Sequence, residues 1–173
     1  MSESFDLIIK NGLCFIEGNL KKVDIGVKDS LIKEIKELSA FKTSQVVDAK
    51  NLLVLPGAID TQVHFREPGE TDLEDLNSGS RAAIMGGITS VFEMPNTNPS
   101  TTTLGKLAEK NEMASTKSIV NYSFFLGATH DNLDEIKNLD SNCGLKIFMG
   151  SSTGDLLVDD DETLDKIFSC CNK

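Results

Sequence analysis

Residues 59–69 read Ile59-Asp60-Thr61-Gln62-Val63-His64-Phe65-Arg66-Glu67-Pro68-Gly69. A β-strand turns successive side chains to opposite faces. Asp60, Gln62, His64 and Arg66 therefore share one face, and Ile59, Thr61, Val63 and Phe65 share the other. A row of polar groups on an otherwise apolar strand is costly to bury without partners, so such a face lines a site. Pro68-Gly69 ends the strand in a turn. Upstream, the apolar run Leu52-Leu53-Val54-Leu55 is closed by a second break, Pro56-Gly57.

The sequence on either side of Pro56 follows two different rhythms. Before it come short strands separated by turns. Phe5 to Lys10 is one strand. Asn11-Gly12 predicts a hairpin, because both residues tolerate positive φ. Leu13 to Ile16 returns, Glu17-Gly18-Asn19 turns, and Lys22 to Val27 alternates with period 2. Asp29-Ser30 turns into Leu31 to Ile35, and Val46 to Asp48 and Leu52 to Leu55 complete the set. This spacing predicts a small antiparallel sheet or sandwich over residues 1–55.

After Pro56 strands alternate with helices, which predicts parallel strands joined by crossover helices. Helices are expected over Asp72 to Met85, near Leu104 to Met113 and near Leu133 to Leu139. The intervening strands are Ile88 to Met94, Ile119 to Leu126 and Leu145 to Met149. The acidic run Asp159-Asp160-Asp161-Glu162 opens a last helix, since carboxylates suit the positive end of a helix dipole. The fold class is α/β: the first four strand–helix units of a (β/α)₈ TIM barrel over residues 56–173, after an N-terminal β-sandwich segment. A whole barrel needs about 250 residues, so the 173 residues are expected to be part of a longer protein. A complete, small doubly wound sheet is the alternative.

The formal net charge of −10 argues against nucleic acid or an anionic membrane as a partner. No apolar run reaches the ~20 residues of a membrane span. The N-terminus lacks the basic and apolar regions of a signal peptide, and a cytoplasmic protein is expected. Cys14, Cys143, Cys170 and Cys171 show no paired metal-ligand spacing and read as thiols of a reducing compartment. His64 and His130 are too few for an all-histidine metal site.

The first barrel strand resembles that of the amidohydrolase superfamily, in its dihydroorotase and allantoinase branch. The carrying motif is His64-Phe65-Arg66-Glu67-Pro68-Gly69, and Met94-Pro95-Asn96-Thr97 at the next strand end also matches. The resemblance implies zinc, one or two ions, with His64 as a ligand and a carbamylated Lys146 as the bridge. Gln62 departs from the pattern, standing where the family has its first metal-binding His. Arg66 and Asn96 match the residues that hold a substrate carboxylate. That role is chemically apt, because a guanidinium fork binds a carboxylate bidentately and an amide adds a neutral donor. The catalytic Asp and two further His ligands would lie beyond residue 173.

The implied reaction is reversible hydrolysis of a cyclic amide, dihydroorotate to carbamoyl aspartate in pyrimidine biosynthesis. Allantoinase and dihydropyrimidinase share the fold and metal site. The partner is then a small-molecule substrate, and a homodimer or association with aspartate transcarbamoylase is also implied. Gln62 supports a rival reading, a non-catalytic dihydroorotase-like subunit of aspartate transcarbamoylase, because an amide is a poor zinc ligand. His130 reads as an exposed loop residue. The Gly150-Ser151-Ser152-Thr153-Gly154 stretch reads as a loop over the site.

Overall fold

The computed structural model describes residues 4–140, 143–150 and 156–171. The chain divides into two compact units, Met1–Pro56 and Gly57–Lys173.

The first unit holds two small sheets. One has the order β5-β4-β1-β6, with β1 at Ser4–Lys10, β4 at Asp24–Lys28, β5 at Leu31–Lys36 and β6 at Lys42–Asp48. The other has the order β3-β2-β7, with β2 at Leu13–Ile16, β3 at Asn19–Lys22 and β7 at Leu53–Val54. Phe5, Ile8 and Leu38 are buried at the centre of the first sheet, with Phe41 packed against them. Gly26 faces the Phe5 ring, and a Cβ there would come within 2.8 Å of it.

Two of the expected hairpins form, β2–β3 and β4–β5. Their turns place Glu17, Gly18, Asp29 and Ser30 at positive φ, the geometry of the tight hairpin turn. The expected Asn11-Gly12 hairpin does not form. Asn11 does have positive φ, but β1 and β2 lie in different sheets. The segment from Lys42 to Val54 takes both places, since β6 runs parallel to β1 and β7 parallel to β2. The sheets are therefore mixed, not antiparallel throughout. Asn11 becomes a corner, its amide donating to Asp48 Oδ1 at 2.8 Å. The expected strand from Lys22 to Val27 is likewise split at Val23 between the two sheets.

The second unit is one parallel sheet, β11-β10-β9-β8, with the strands in chain order. The strands are β8 (Ala58–Val63), β9 (Ile88–Glu93), β10 (Asn121–Gly127) and β11 (Gly144–Lys146). The helices are α1 (Leu76–Met85), α2 (Leu104–Lys117), α3 (Leu133–Lys137) and α4 (Asp161–Cys170). Strands in sequential order with a helix after each are the first four units of a (β/α)₈ barrel. Phe65, Val91 and Phe124 from the sheet side bury against Leu76 of α1 and Leu107 and Ala114 of α2. A second cluster joins Leu126, Ala128, Ile136, Val158 and Ile167. No helix among the described residues is long and apolar enough to cross a membrane.

Helix α1 starts later than its apolar spacing suggests. Asp75 caps it by accepting from Ser78 N at 2.6 Å, and the Ser78 hydroxyl returns a bond from Asp75 N, a capping box. Leu73, expected on the helix, lies outside it and is 73% exposed. The acidic run does cap α4, with Asp160 accepting from Thr163 N at 2.8 Å.

One feature between sheet and helices has no counterpart in the sequence reading. Glu93, at the end of β9, and Lys110, on α2, are both buried, with Nζ 3.1 Å from Oε2. The lysine also lies over the Phe124 ring, 5.1 Å from its centroid. Beyond this ion pair, neither carboxylate oxygen nor Nζ has a directed hydrogen bond among the described residues. Burial pushes the Glu93 carboxyl up to about 8 and the Lys110 ammonium down, and each partner only partly offsets the other's shift.

The pair is expected to be strongly coupled. Lys110→Met strands a buried carboxyl and should cost ~3–5 kcal/mol, whereas Glu93→Leu combined with Lys110→Met should cost far less. A raised carboxyl value stabilises the fold fully below the ordinary 4.5 and loses that contribution as pH rises through about 8. Lys110→Met should therefore lose stability steeply over that window. Across neutral pH the wild-type pair keeps one proton whether folded or unfolded, so its curve should be flatter. Urea unfolding of the four proteins of the cycle, at several pH values, measures both effects; equal, additive losses would rule out the coupling.

Candidate functional site

The site grows from the two faces of β8. Phe65 belongs to the helix-side core and Val63 packs against it, so alternation sends Gln62 and His64 to the opposite face. The pairing of β8 with β9 is irregular between Asp60 and Val63. There the Asp60 carboxylate accepts from Gln62 N at 3.0 Å, so it serves the backbone.

Beyond its last paired residues, β9 stays zipped to β8 by Met94 N donating to Val63 O at 3.0 Å. That bond carries Asn96 to His64, with His64 Nδ1 2.9 Å from Asn96 Oδ1. An amide oxygen only accepts, so in the neutral ring this contact places the proton on Nδ1 and leaves the lone pair on Nε2. The loop holding Asn96 is itself tied down. Thr97 N and Thr101 N both donate to Pro95 O, and Gly127 N at the end of β10 donates to Thr101 O.

The loops after β8, β9 and β10 enclose a cleft of about 530 Å³ at the C-terminal ends of the strands, where barrels of this kind place their chemistry. Arg66, Glu70, Asn96, Lys106 and Thr129 line it. Arg66 Nη1 is 3.9 Å from Glu70 Oε2, and both side chains are well exposed to solvent, so the contact is weak. The structure thus unites three of the candidate residues: His64 bonds Asn96, and Asn96 shares the cleft with Arg66.

Glu67, which the sequence reading left without a role, is buried beside them. Its Oε2 accepts from Leu76 N at 3.0 Å, at the start of α1, and its Oε1 is paired with Lys117 at the end of α2. A single carboxylate so fixes the chain next to Arg66 to two helices. The signal that could have found it is a carboxylate inside a turn motif, followed nine residues later by the first N–H of a helix, which has no partner within the helix.

Lys146 and Gln62 are not drawn into this cluster by any contact among the described residues. Leu145 and Ile147 pack in the second core cluster, so Lys146 points to the other face of β11, the face that His64 takes on β8. It is half-buried, and its Nζ lies 4.9 Å from the centroid of the Phe148 ring. Gln62 is exposed. Among the described residues, no group of three or more His, Cys, Asp or Glu is arranged to hold a metal.

The donor chemistry nevertheless fits a metal at His64. Its imidazole has one nitrogen fixed by a second residue and the other available, the usual state of a metal-ligating histidine. A lysine held on the same face offers an amine that carbamylation would turn into a carboxylate. Gln62 is the poor member of the set.

The other candidates lie elsewhere. His130 is exposed, as expected, and its Nε2 is 3.0 Å from Asp160 Oδ2, which ties the loop after β10 to the cap of α4. Cys14 is buried, its Sγ 3.3 Å from Val23 O, and burial raises its thiol. Residues 151–154 of the expected loop over the site lie outside the described residues.

Residues 53–152 match the Amidohydrolase family. The chain belongs to that family. It is 38% identical over 160 residues to a dihydroorotase of Methanosarcina mazei, and 38% identical over 162 residues to an allantoinase of Escherichia coli O1:K1. Each alignment covers 91% of this chain and 35% of the relative, so the chain spans about a third of the relatives' length. Among solved structures, L-hydantoinase (dihydropyrimidinase) from Arthrobacter aurescens superposes with a TM-score of 0.85 at 31% identity. That match covers 96% of this chain and 39% of the other. A D-hydantoinase superposes with a TM-score of 0.82 at 25% identity. The names of these relatives, dihydroorotase, allantoinase and hydantoinase, do not single out one ring.

The His64–Asn96 bond has a spectroscopic consequence. Ring nitrogen shifts should show His64 as the Nδ1–H tautomer at alkaline pH. In Asn96→Ala, with the acceptor gone, the Nε2–H form should dominate. An unchanged tautomer in the variant would mean that Asn96 does not hold the ring.

Proposed function

We propose that this chain supplies the substrate-carboxylate side and part of the metal ligand set of a cyclic amide hydrolase that acts on dihydroorotate. The observation carrying the reading is that Arg66 and Asn96 line one cleft while Asn96 also bonds His64. In this reading Arg66 and Asn96 grip the ring's carboxylate and orient its amide toward the face of His64. Binding energy spent on a group remote from the reacting bond fixes orientation. Zinc is the metal proposed, held by His64 and a carbamylated Lys146 with further ligands from sequence beyond residue 173. When bound, a zinc ion polarises the scissile carbonyl and lowers the pKa of water.

The partner is a small-molecule ring, and a homodimer or association with aspartate transcarbamoylase goes with it. The second reading is a non-catalytic dihydroorotase-like subunit of aspartate transcarbamoylase. Gln62 favours that reading, because the site has an amide where the family pattern has an imidazole.

The test uses the protein of the full reading frame. Arg66→Ala should raise KM for dihydroorotate roughly ten- to a hundredfold, the loss of one charge-assisted hydrogen bond, and leave zinc per chain unchanged. Loss of metal would make Arg66 structural. An inert wild type with full zinc would favour the non-catalytic reading, and Gln62→His should raise zinc per chain in either case. The 173-residue chain alone, with zinc added, is expected to turn over no dihydroorotate; turnover that copurifies with it would overturn the assignment of ligands and base to later sequence.

A further inference from the structure

The cleft contains a second cation that no part of the matched motifs includes. Lys106 sits in the first turn of α2, its backbone N–H donating to the Thr103 cap at 3.2 Å. Its side chain is half-buried and lines the same cleft as Arg66. Among the described residues Lys106 has no carboxylate within ion-pair distance, whereas Lys21, Lys36, Lys110, Lys117, Lys137 and Lys166 each have one. The one acidic side chain among the described lining residues, Glu70, lies 3.9 Å from Arg66 in a solvated contact.

Between the two cations the lining is neutral and rich in donors. Asn98 and Thr102 line it, and Thr129 Oγ1 accepts from Asp131 N, which leaves its proton to donate. Among the described lining residues, two cations and one weakly engaged carboxylate leave a net positive charge, in a protein whose formal net charge is −10. A local field opposite to the global one concentrates anions where it is found. We propose that Lys106 is a specificity-determining residue, which makes the cleft select cyclic amides bearing an acidic group over neutral rings. This rests on the assignment of Arg66 and Asn96 to the carboxylate and narrows the substrate class within it. Allantoin- or hydantoin-type neutral rings would gain nothing from Lys106, and a carboxylated ring gains a second attractive charge.

The experiment titrates the 173-residue chain with dihydroorotate and with dihydrouracil, the same ring without the carboxylate, followed by amide shifts in nitrogen-15 spectra. Lys106→Gln should weaken dihydroorotate binding roughly fivefold, the range of a partly solvated charge pair. It should leave dihydrouracil unchanged, and Lys106→Arg should retain the preference. The loss should shrink as salt is raised. Arg66→Gln serves as the reference for the carboxylate assignment, and urea midpoints check that each variant is folded. If Arg66→Gln weakens dihydroorotate and Lys106→Gln does not, the inference fails and the function stands. If neither substitution matters, or the unchanged chain shows no preference for the acid, the carboxylate assignment and the inference fail together. Equal weakening of both rings by Lys106→Gln would make the lysine structural and overturn its role in selection.

Discussion

A strand in a parallel sheet with helices on one side serves two environments, and β8 shows what that demands. Val63 and, just past the strand's end, Phe65 are committed to the helix layer, with Phe65 buried among Leu76, Leu107 and Phe124. The Phe65 ring leaves no room for a side chain at position 79, where a Cβ would come within 2.5 Å of the ring. That contact fixes α1 against the strand. Because the period is 2, one slip in register would send His64 into the core and Phe65 into the cleft. Burial of Phe65 and Val63 therefore decides which way His64 faces, and the chemistry follows from the packing. Glu67 completes the fixation, one residue past Arg66, by gripping the start of α1 and the end of α2.

Much of this architecture was legible because periodicity and punctuation agree. The strand–helix alternation after Pro56 is carried by apolar runs bounded by Gly and Pro, and such signals do not depend on distant contacts. The helix starts were less legible. Asp75 and Ser78 form a reciprocal cap that overrides the apolar Leu73 upstream. The Asn11-Gly12 corner misled for a related reason. A dipeptide that tolerates positive φ states where the chain bends and says nothing about which strand lies alongside. That choice was made by a segment more than thirty residues later, through the bond from Ala49 N to Lys10 O and the pairing of β6 and β7.

The site was legible residue by residue and not as a network. Motif matches put His64, Arg66 and Asn96 at neighbouring strand ends, but only the geometry shows that Asn96 fixes the imidazole. Glu93 and Lys110 were invisible, since an acid in a strand and a base in a helix look like solvent-facing charges at any spacing. Their meeting needs the helix to cross the strand at one place. Phe124 lies under the lysine there. Burying the pair is costly, and that cost buys a polar contact between β9 and α2 at one register. The loop joining these two elements is the one that carries Asn96 and leads to Lys106.

That loop connects the two roles proposed for the cleft. Asn96 takes part in both, since its oxygen faces His64 Nδ1 and its side chain lines the cleft. A ligand drawing on the amide polarises it, and polarising it strengthens the acceptor that holds Nδ1–H. A more tightly held Nδ1–H makes Nε2 more electron-rich, hence a better donor to a metal. Coupling between two sites is reciprocal, so in the proposed function a metal at Nε2 would in turn favour an acid in the cleft. Gln62 does not enter this path: it is exposed, and its backbone is held by Asp60. Replacing a ligand at position 62 changes how many groups grip a metal. In the proposed function it leaves intact the link from the cleft through Asn96 to His64.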